Sequence, residues 1–101
     1  MRVIKRRVLA EFGERHPEAG GPLETWYHLT KAGRWEGTAD VKRVFGISVD
    51  FVANNRAIFD IKDNDCRLIG EINYRAKAMY VRFLGTREEY DRVDAATVKL
   101  Y

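Results

Sequence analysis

The sequence predicts an α+β domain in which helices come first, an antiparallel sheet follows, and a short helix comes last. Three observations support this fold class. Up to residue 46 the apolar residues recur at helical spacing. After residue 47, extended segments alternate with turns rich in Asn, Asp and Gly. A Thr-x-x-Glu motif at residues 86–89 then marks the start of another helix. A length of 101 residues fits one domain, 1–101.

Three helices are predicted in the first half of the chain, at residues 2–16, about 22–32 and 37–46. The first follows from the apolar residues Val8, Leu9 and Phe12, which fall on one side of a helix while charged residues fall on the other. In the third, Thr38 is the predicted cap and Gly46 the predicted stop.

Two hairpins are predicted after residue 47. The stretch "SVDFVANNRAIFDIK" indicates two extended segments around an Asn54-Asn55 turn. A second turn, "KDNDC" at 62–66, leads to strands near 66–74 and 78–85. The sheet is therefore expected to be built from consecutive antiparallel strands.

Side chains along a strand alternate between its two faces. In each of the last two predicted strands, one set of residues is therefore assigned to the core face and the other set to the open face. Arg67 falls on the open face of one strand, and Arg82 falls on the open face of the next together with Tyr80 and Leu84. Phe83 and Met79 are assigned to the core face. Two arginines from adjacent strands are therefore expected to share one surface.

Composition excludes several classes of protein. The single cysteine, Cys66, rules out an internal disulfide and is expected in the core, and no Cys/His cluster has the spacing of a zinc site. No apolar run is long enough to cross a membrane, and the first residues do not form a signal peptide, so we expect a cytoplasmic protein. The net charge of +3 is spread along the chain rather than concentrated in a run. Neither a cofactor nor a metal ion is predicted.

The join between the last strand and the last helix, "YVRFLGTREEYD" at 80–91, has the groups needed for a phosphate site. Arg87 falls in the first helical turn, where positive charge opposes the helix dipole unless an anion binds there. Tyr90 lies three residues later on nearly the same helical face. A structural interpretation stays open: neighbouring acids balance Arg87, Arg82 is a solvated strand residue, and Tyr90 belongs to an amphipathic core.

The order and spacing of several short motifs resemble the HigB family of bacterial toxins, within the RelE superfamily. The motifs are "NNR" before a strand, "IKDNDCRL" leading into the next, "INYR" at the hairpin, and "YVRFLGT" followed by "EYDRVDA". The resemblance covers nearly the whole chain and implies a RelE-like fold, with N-terminal helices on a curved antiparallel sheet whose open face carries an RNA site.

The resemblance also implies an activity and partners. Members of the family are similar to metal-independent endoribonucleases that cut mRNA, usually on the ribosome, and so inhibit translation and growth. An antitoxin, commonly a HigA-like helix-turn-helix protein, neutralises them. The alternative is a catalytically weakened homologue that serves as an antitoxin-binding, regulatory or RNA-binding module.

Individual roles follow from matching these motifs residue by residue. Roles in cleavage are predicted for Arg67, Arg82, Arg87, Tyr90 and Lys62. Contacts with RNA are predicted for Lys42, Arg43, Arg56, Asn73, Arg75 and Asp91. Two positions depart from the family pattern: Arg87 replaces a common histidine, and Cys66 replaces a common tyrosine. Because the histidine is absent, proton transfer is assigned to Tyr90 or Lys62; the alternative is that the ribosome completes the site.

Overall fold

A computed structural model describes residues 1–63 and 65–101, and within them the first three helices pack on one face of a five-stranded sheet. In chain order the elements are β1 (Arg2–Ile4), α1 (Arg7–Arg15), α2 (Gly20–Ala32), α3 (Thr38–Phe45), β2 (Val49–Val52), β3 (Arg56–Ile61), β4 (Cys66–Asn73), β5 (Ala78–Thr86) and α4 (Arg87–Tyr90). The predicted α+β class and RelE-like fold are confirmed. Asn64, in the predicted 62–66 turn, lies outside the described residues. No helix in the described part is long and apolar enough to cross a lipid bilayer.

The start of the chain differs from the prediction, because residues 2–4 form a strand rather than the first turns of a helix. The sheet order is β1-β5-β4-β3-β2, and β1 lies parallel to β5 while the other neighbours are antiparallel. Lys5 has a φ of 73°, which a helix cannot continue through, and α1 begins only at Arg7. The predicted helix over 2–16 is therefore wrong for its first residues.

The third helix ends as predicted and begins differently. Gly46 follows its last residue with a φ of 59°, a conformation that glycine adopts at little cost. Thr38 is the first helical residue rather than the cap, and Gly37 occupies the cap position. The Asp40 carboxylate accepts a hydrogen bond from the Glu36 backbone N–H at 2.8 Å.

Both predicted hairpins are present. Asn54 and Asn55 adopt φ values of 66° and 59° between β2 and β3, in the left-handed region that Asn tolerates better than most residues. The β4–β5 turn contains Lys77 with a φ of 54°. The residues of these turns thus fix where four of the five described strands begin or end: β2, β3, β4 and β5.

The main core lies between the helices and the sheet. Its largest fully buried members include Phe12, Val41, Phe59, Leu68, Met79 and Val81. Cys66 belongs to this core with 3% of its surface exposed, as predicted. Burial raises the pKa of the Cys66 thiol, so the reactive thiolate is disfavoured.

A bulge in β5 reverses the predicted orientation of Phe83. Ile69 pairs with Phe83 and Gly70 pairs with Val81, so Arg82 is an extra residue between them. Arg82 and Phe83 therefore both reach the face turned away from the helices. The assignments of Phe83 to the main core and of Leu84 to the open face are both wrong, because counting alternate residues assumes a regular strand; Leu84 belongs to the main core. Phe83 instead forms a second cluster with Ile58 and Ile69.

Gly70→Ala is expected to destabilise the protein. A Cβ at this position would collide with the sulfur of Met79, which is fully buried and cannot move without repacking the core. Overpacking of this kind costs about 1–3 kcal/mol, measurable as the free energy of unfolding in urea. The control is Gly21→Ala, where a Cβ meets nothing within 4 Å. Equal stability of the two variants would show that the core has room for this methyl group.

Candidate functional site

The sheet face opposite the helices carries a set of paired charges, called here the arginine face. Its members come from three adjacent strands and are Arg56, Asp60, Arg67, Glu71 and Arg82. The β3–β4 register sets Arg56 opposite Glu71 and Asp60 opposite Arg67. Arg67 and Arg82 share this face, as the sequence predicts.

Glu71 connects two of these arginines. Its Oε1 accepts a hydrogen bond from Arg82 Nε at 3.0 Å and lies 3.6 Å from Nη2 of Arg56. The Arg82 guanidinium also lies 5.1 Å from the centre of the Tyr80 ring. Side-chain exposure is 17% for Arg82 and 5% for Arg56. The carboxylate and the ring together fix the direction in which Arg82 points.

Arg67 is held by a carboxylate and an aromatic ring. Its Nε lies 3.2 Å from Oδ1 of Asp60, and its guanidinium carbon lies 4.7 Å from the centre of the Tyr90 ring, within the range of a cation–π interaction. The Tyr90 ring in turn meets Phe83 edge to face, with 6.3 Å between ring centres. The predicted pair Arg67 and Tyr90 is therefore in direct contact.

The loop after β3 brings two more predicted residues to this end of the sheet. The Arg87 backbone N–H donates to the Asp65 carbonyl at 3.1 Å, and Lys62 Nζ lies 3.3 Å from Oδ2 of Asp65. The Arg87 side chain is exposed, and no ion pair links it to another described residue. Four predicted residues thus lie near the start of β4, where Arg67 contacts Tyr90 while Lys62 and Arg87 are each bonded to Asp65. They are called the Arg67 cluster: Lys62, Arg67, Arg87 and Tyr90.

Three backbone donors at the start of α4 are bonded within the protein. The helix has only four residues, and Thr86 and Glu89 form the predicted capping box. Glu89 accepts from the Thr86 N–H at 2.8 Å, and the Thr86 hydroxyl accepts from the Glu89 N–H at 3.3 Å. The Arg87 N–H is bonded as well, and phosphate binding at this join stays a prediction.

Two predicted RNA contacts belong to the helical layer. Lys42 and Arg43 lie on α3, which packs against the opposite side of the sheet from the arginine face. Lys42 Nζ donates to the Val49 carbonyl at 3.3 Å, and Arg43 pairs with Asp40 at 2.9 Å. The structure does not bring these two residues to the Arg67 cluster, and their contact with RNA stays a prediction.

The four remaining predicted RNA contacts are Arg56, Asn73, Arg75 and Asp91. Asn73 lies about 20 Å along β4 from Arg67 and accepts from the Ala76 N–H at 2.9 Å, so it shapes the turn that also carries exposed Arg75. Arg56 is buried. Asp91 is exposed at the end of α4, beside the cluster. Their roles in RNA binding remain predictions.

Sequence reasoning missed the C-terminal segment, residues 91–101, which crosses the arginine face. Val93, Ala95 and Val98 pack against the second cluster. Arg56 Nη1 donates to the carbonyl of Ala95 at 3.1 Å and to that of Val98. The sequence signal is the recurrence of these apolar residues after the short helix, but local spacing does not show which surface they cover.

Asp60 and Glu71, which orient the arginines, were missed as well. Each is an isolated acid in a strand, and only the cross-strand register shows its partner. Among the described residues, no group of three or more His, Cys, Asp or Glu side chains is arranged to hold a metal ion.

Comparison with known families adds a decisive observation to this geometry. A family model described as HigB_toxin, the RelE-like toxic component of a toxin-antitoxin system, matches residues 19–93. That range is about three quarters of the 101 residues. The chain belongs to the HigB toxin family. Among curated proteins, the search found no relative.

Membership of the HigB family gives the arginine face its context. The family is the toxic component of a toxin–antitoxin system, so an antitoxin is a partner of this chain. The match includes all of β2 to α4, and therefore every residue of the Arg67 cluster. It ends at Val93, so most of the C-terminal segment lies beyond it.

Acidification is expected to weaken the start of α4 through Glu89. Its hydrogen bond with the Thr86 backbone holds the pKa of the Glu89 carboxyl below its usual 4.5. A carboxyl with a depressed folded-state pKa contributes stability above its unfolded pKa and loses that contribution as the pH falls through the folded value. Urea unfolding at a series of pH values below about 6 should show this loss in the wild type.

Glu89→Gln should flatten that part of the stability–pH profile, because the amide does not titrate. The matched control is Glu88→Gln, an exposed acid one residue earlier that takes no part in the capping box. If both variants keep the wild-type slope, the capping box does not provide the pH dependence.

Proposed function

We propose that this chain is the toxin of a type II toxin–antitoxin system and acts as a metal-independent endoribonuclease on mRNA, working on the ribosome and so inhibiting translation and growth. The observation that carries the proposal is the contact between Arg67 and Tyr90 on the arginine face, with Lys62 and Arg87 beside them. Membership of the HigB family supports it, since the family is defined by a toxic component.

RNA contains its own nucleophile, so a protein can promote cleavage without a metal ion. The 2′-hydroxyl attacks the adjacent phosphorus, the P–O5′ bond breaks, and the products are a 2′,3′-cyclic phosphate and a 5′-hydroxyl. The protein must align the nucleophile, stabilise negative charge on the phosphate, and transfer one proton from the 2′-hydroxyl and one to the leaving oxygen.

Arg67 is the group best placed to stabilise the phosphate. A guanidinium stays charged at all relevant pH values, and its planar fork matches phosphate oxygens. Asp60 and the Tyr90 ring hold this guanidinium in one orientation. Such preorganisation reduces the reorganisation needed when charge develops in the transition state.

The other members of the Arg67 cluster have complementary roles in this proposal. Arg87 and Lys62 are solvent-accessible cations at the same end of the sheet and suit contact with the RNA backbone. Tyr90 presents a hydroxyl for proton transfer and a ring on which a base can stack. Arg82 supplies a second guanidinium further along the face.

A non-catalytic antitoxin-binding role is the competing proposal, and the placement of the histidines favours it. His16 ends α1, where its ring stacks on Phe12 at 4.3 Å, and His28 lies exposed on α2 next to Glu24. Both belong to the helical layer rather than to the Arg67 cluster. Under this proposal the chain binds its antitoxin but cuts no RNA, on or off the ribosome.

Arg67→Ala is expected to abolish toxicity. Removing one preorganised donor to a developing charge costs on the order of 100-fold or more in rate. The measurement is bacterial growth, with integrity of cellular mRNA, after induction without antitoxin. Arg7→Ala, which removes an exposed arginine of the helical layer, is the control and should stay toxic.

Thermal melting of the purified proteins must accompany the growth test, because Arg67→Ala also leaves Asp60 without its ion pair. Equal toxicity of the wild type and a folded Arg67→Ala variant would sink the nuclease proposal. A wild type that binds antitoxin, leaves mRNA intact and permits growth would establish the competing role.

Tyr90→Phe separates the hydroxyl from the ring. The variant keeps the aromatic contacts with Arg67 and Phe83, so its stability should match the wild type. If the hydroxyl transfers a proton, the single-turnover cleavage rate should fall by about 10²–10⁴-fold. Tyr27→Phe is the matched control, since Tyr27 is a half-buried tyrosine that lies under the Arg6 guanidinium on the helical layer. A wild-type rate for Tyr90→Phe would exclude this hydroxyl and leave Lys62 or a group of the ribosome to transfer the proton.

A further inference from the structure

The C-terminal segment occupies donors that the proposed function assigns to RNA. Arg56 donates to the Ala95 and Val98 carbonyls, and Arg82 Nη1 lies 3.4 Å from the Tyr101 carbonyl. The main chain of the segment also bonds back, because the Leu100 N–H donates to the Arg82 carbonyl at 3.0 Å. The segment thus binds the sheet largely through its own backbone oxygens.

Apolar contacts complete this coverage. Val93, Ala95 and Val98 are the side chains that pack on the second cluster, at the centre of the arginine face. Asn54 Nδ2, in the β2–β3 turn, donates to the Ala96 carbonyl at 2.8 Å and fixes the segment at the far side of the sheet. With the segment in this position, Arg56 and most of Arg82 are shielded from solvent.

The Ala95 and Val98 carbonyls are neutral acceptors, and RNA offers stronger ones. A hydrogen bond from a guanidinium to a charged phosphate oxygen is roughly twice as strong as a bond between neutral groups. Replacing these two carbonyls by phosphate oxygens is therefore favourable for Arg56. The contact between Arg82 and Tyr101 is long, so the last residues hold least firmly.

We propose that the C-terminal segment is a displaceable cover of the arginine face, and that single-stranded RNA displaces it by taking its place on Arg56 and Arg82. The inference rests on the proposed function, because it concerns the same face. It adds a second RNA contact area to the Arg67 cluster, one that exists only when the segment has moved.

Hydrogen exchange in the wild-type protein tests the displacement directly. The probe is a short single-stranded RNA with 2′-O-methyl groups, which blocks the nucleophile and prevents cleavage. Saturating RNA should speed exchange of the Leu100 amide, which bonds to Arg82, by about tenfold or more. The Ile72 amide, which donates to the Asn55 carbonyl at 2.8 Å, is the internal control and should stay protected. The proposal is overturned if exchange of the Leu100 amide is unchanged or slower with RNA bound. That result includes the case in which antitoxin, but not RNA, releases the segment.

A pair of variants tests the same idea from the protein side. Val98→Asp places a carboxylate against Ile58, Ile69 and Phe83 and should lift the segment. Thr97→Asp adds the same charge at the neighbouring exposed position and should leave the segment in place. Val98→Asp is expected to bind the 2′-O-methyl RNA about tenfold more tightly than Thr97→Asp, measured by fluorescence anisotropy. Equal or weaker binding by Val98→Asp contradicts the proposal.

These outcomes are separate from those of the nuclease test. If RNA binds without releasing the segment, the proposal of a displaceable cover is overturned, and the proposal of cleavage through Arg67 is unaffected. RNA that releases the segment from a protein that cuts no RNA supports the cover and overturns the nuclease proposal. If neither Val98→Asp nor Thr97→Asp binds RNA, the proposal of a displaceable cover is overturned. Toxicity is measured separately, with Arg67→Ala.

Discussion

The orientation of the functional face depends on one extra residue in β5. Because Arg82 has no partner across the β4–β5 ladder, Arg82 and Phe83 both turn away from the helices, while Val81 and Leu84 both reach the main core. Phe83 can then support the Tyr90 ring, and Tyr90 can lie against Arg67. A regular strand would put Phe83 in the main core and leave Tyr90 without this support, so the bulge links core packing to site geometry.

Positive charge on this face is stabilised by interactions within the sheet. Glu71 and Asp60 lie between the arginines and hold them by hydrogen bonds and ion pairs. Removing one partner of a buried ion pair is strongly destabilising, because the remaining charge is left uncompensated. The same carboxylates that make the arginines compatible with folding also fix the direction in which they are presented to an anionic ligand.

The sequence predicted elements whose signals are local. Paired asparagines predicted a hairpin and a Thr-x-x-Glu motif predicted a capping box, because each acts within a few residues. Three features depend on partners distant in sequence and could not be read from spacing: the parallel pairing of β1, the bulge at Arg82, and the contact of Val98 with the sheet. For the site, the resemblance named Arg67 and Tyr90 separately, and only the folded chain brings them into contact, whereas Lys42 and Arg43 lie on another layer.

The pairing of β1 with β5 has a consequence for how the protein folds during synthesis. Arg2 lies beside Ala78, so β1 has no partner strand until Ala78 has been made. Contacts of such high sequence separation form late, because closing the intervening loop costs entropy. The Arg67 cluster has the same property, since Tyr90 is made after every other member. A chain that has not yet reached Tyr90 therefore has no assembled site, and the site can form only after that residue has been translated.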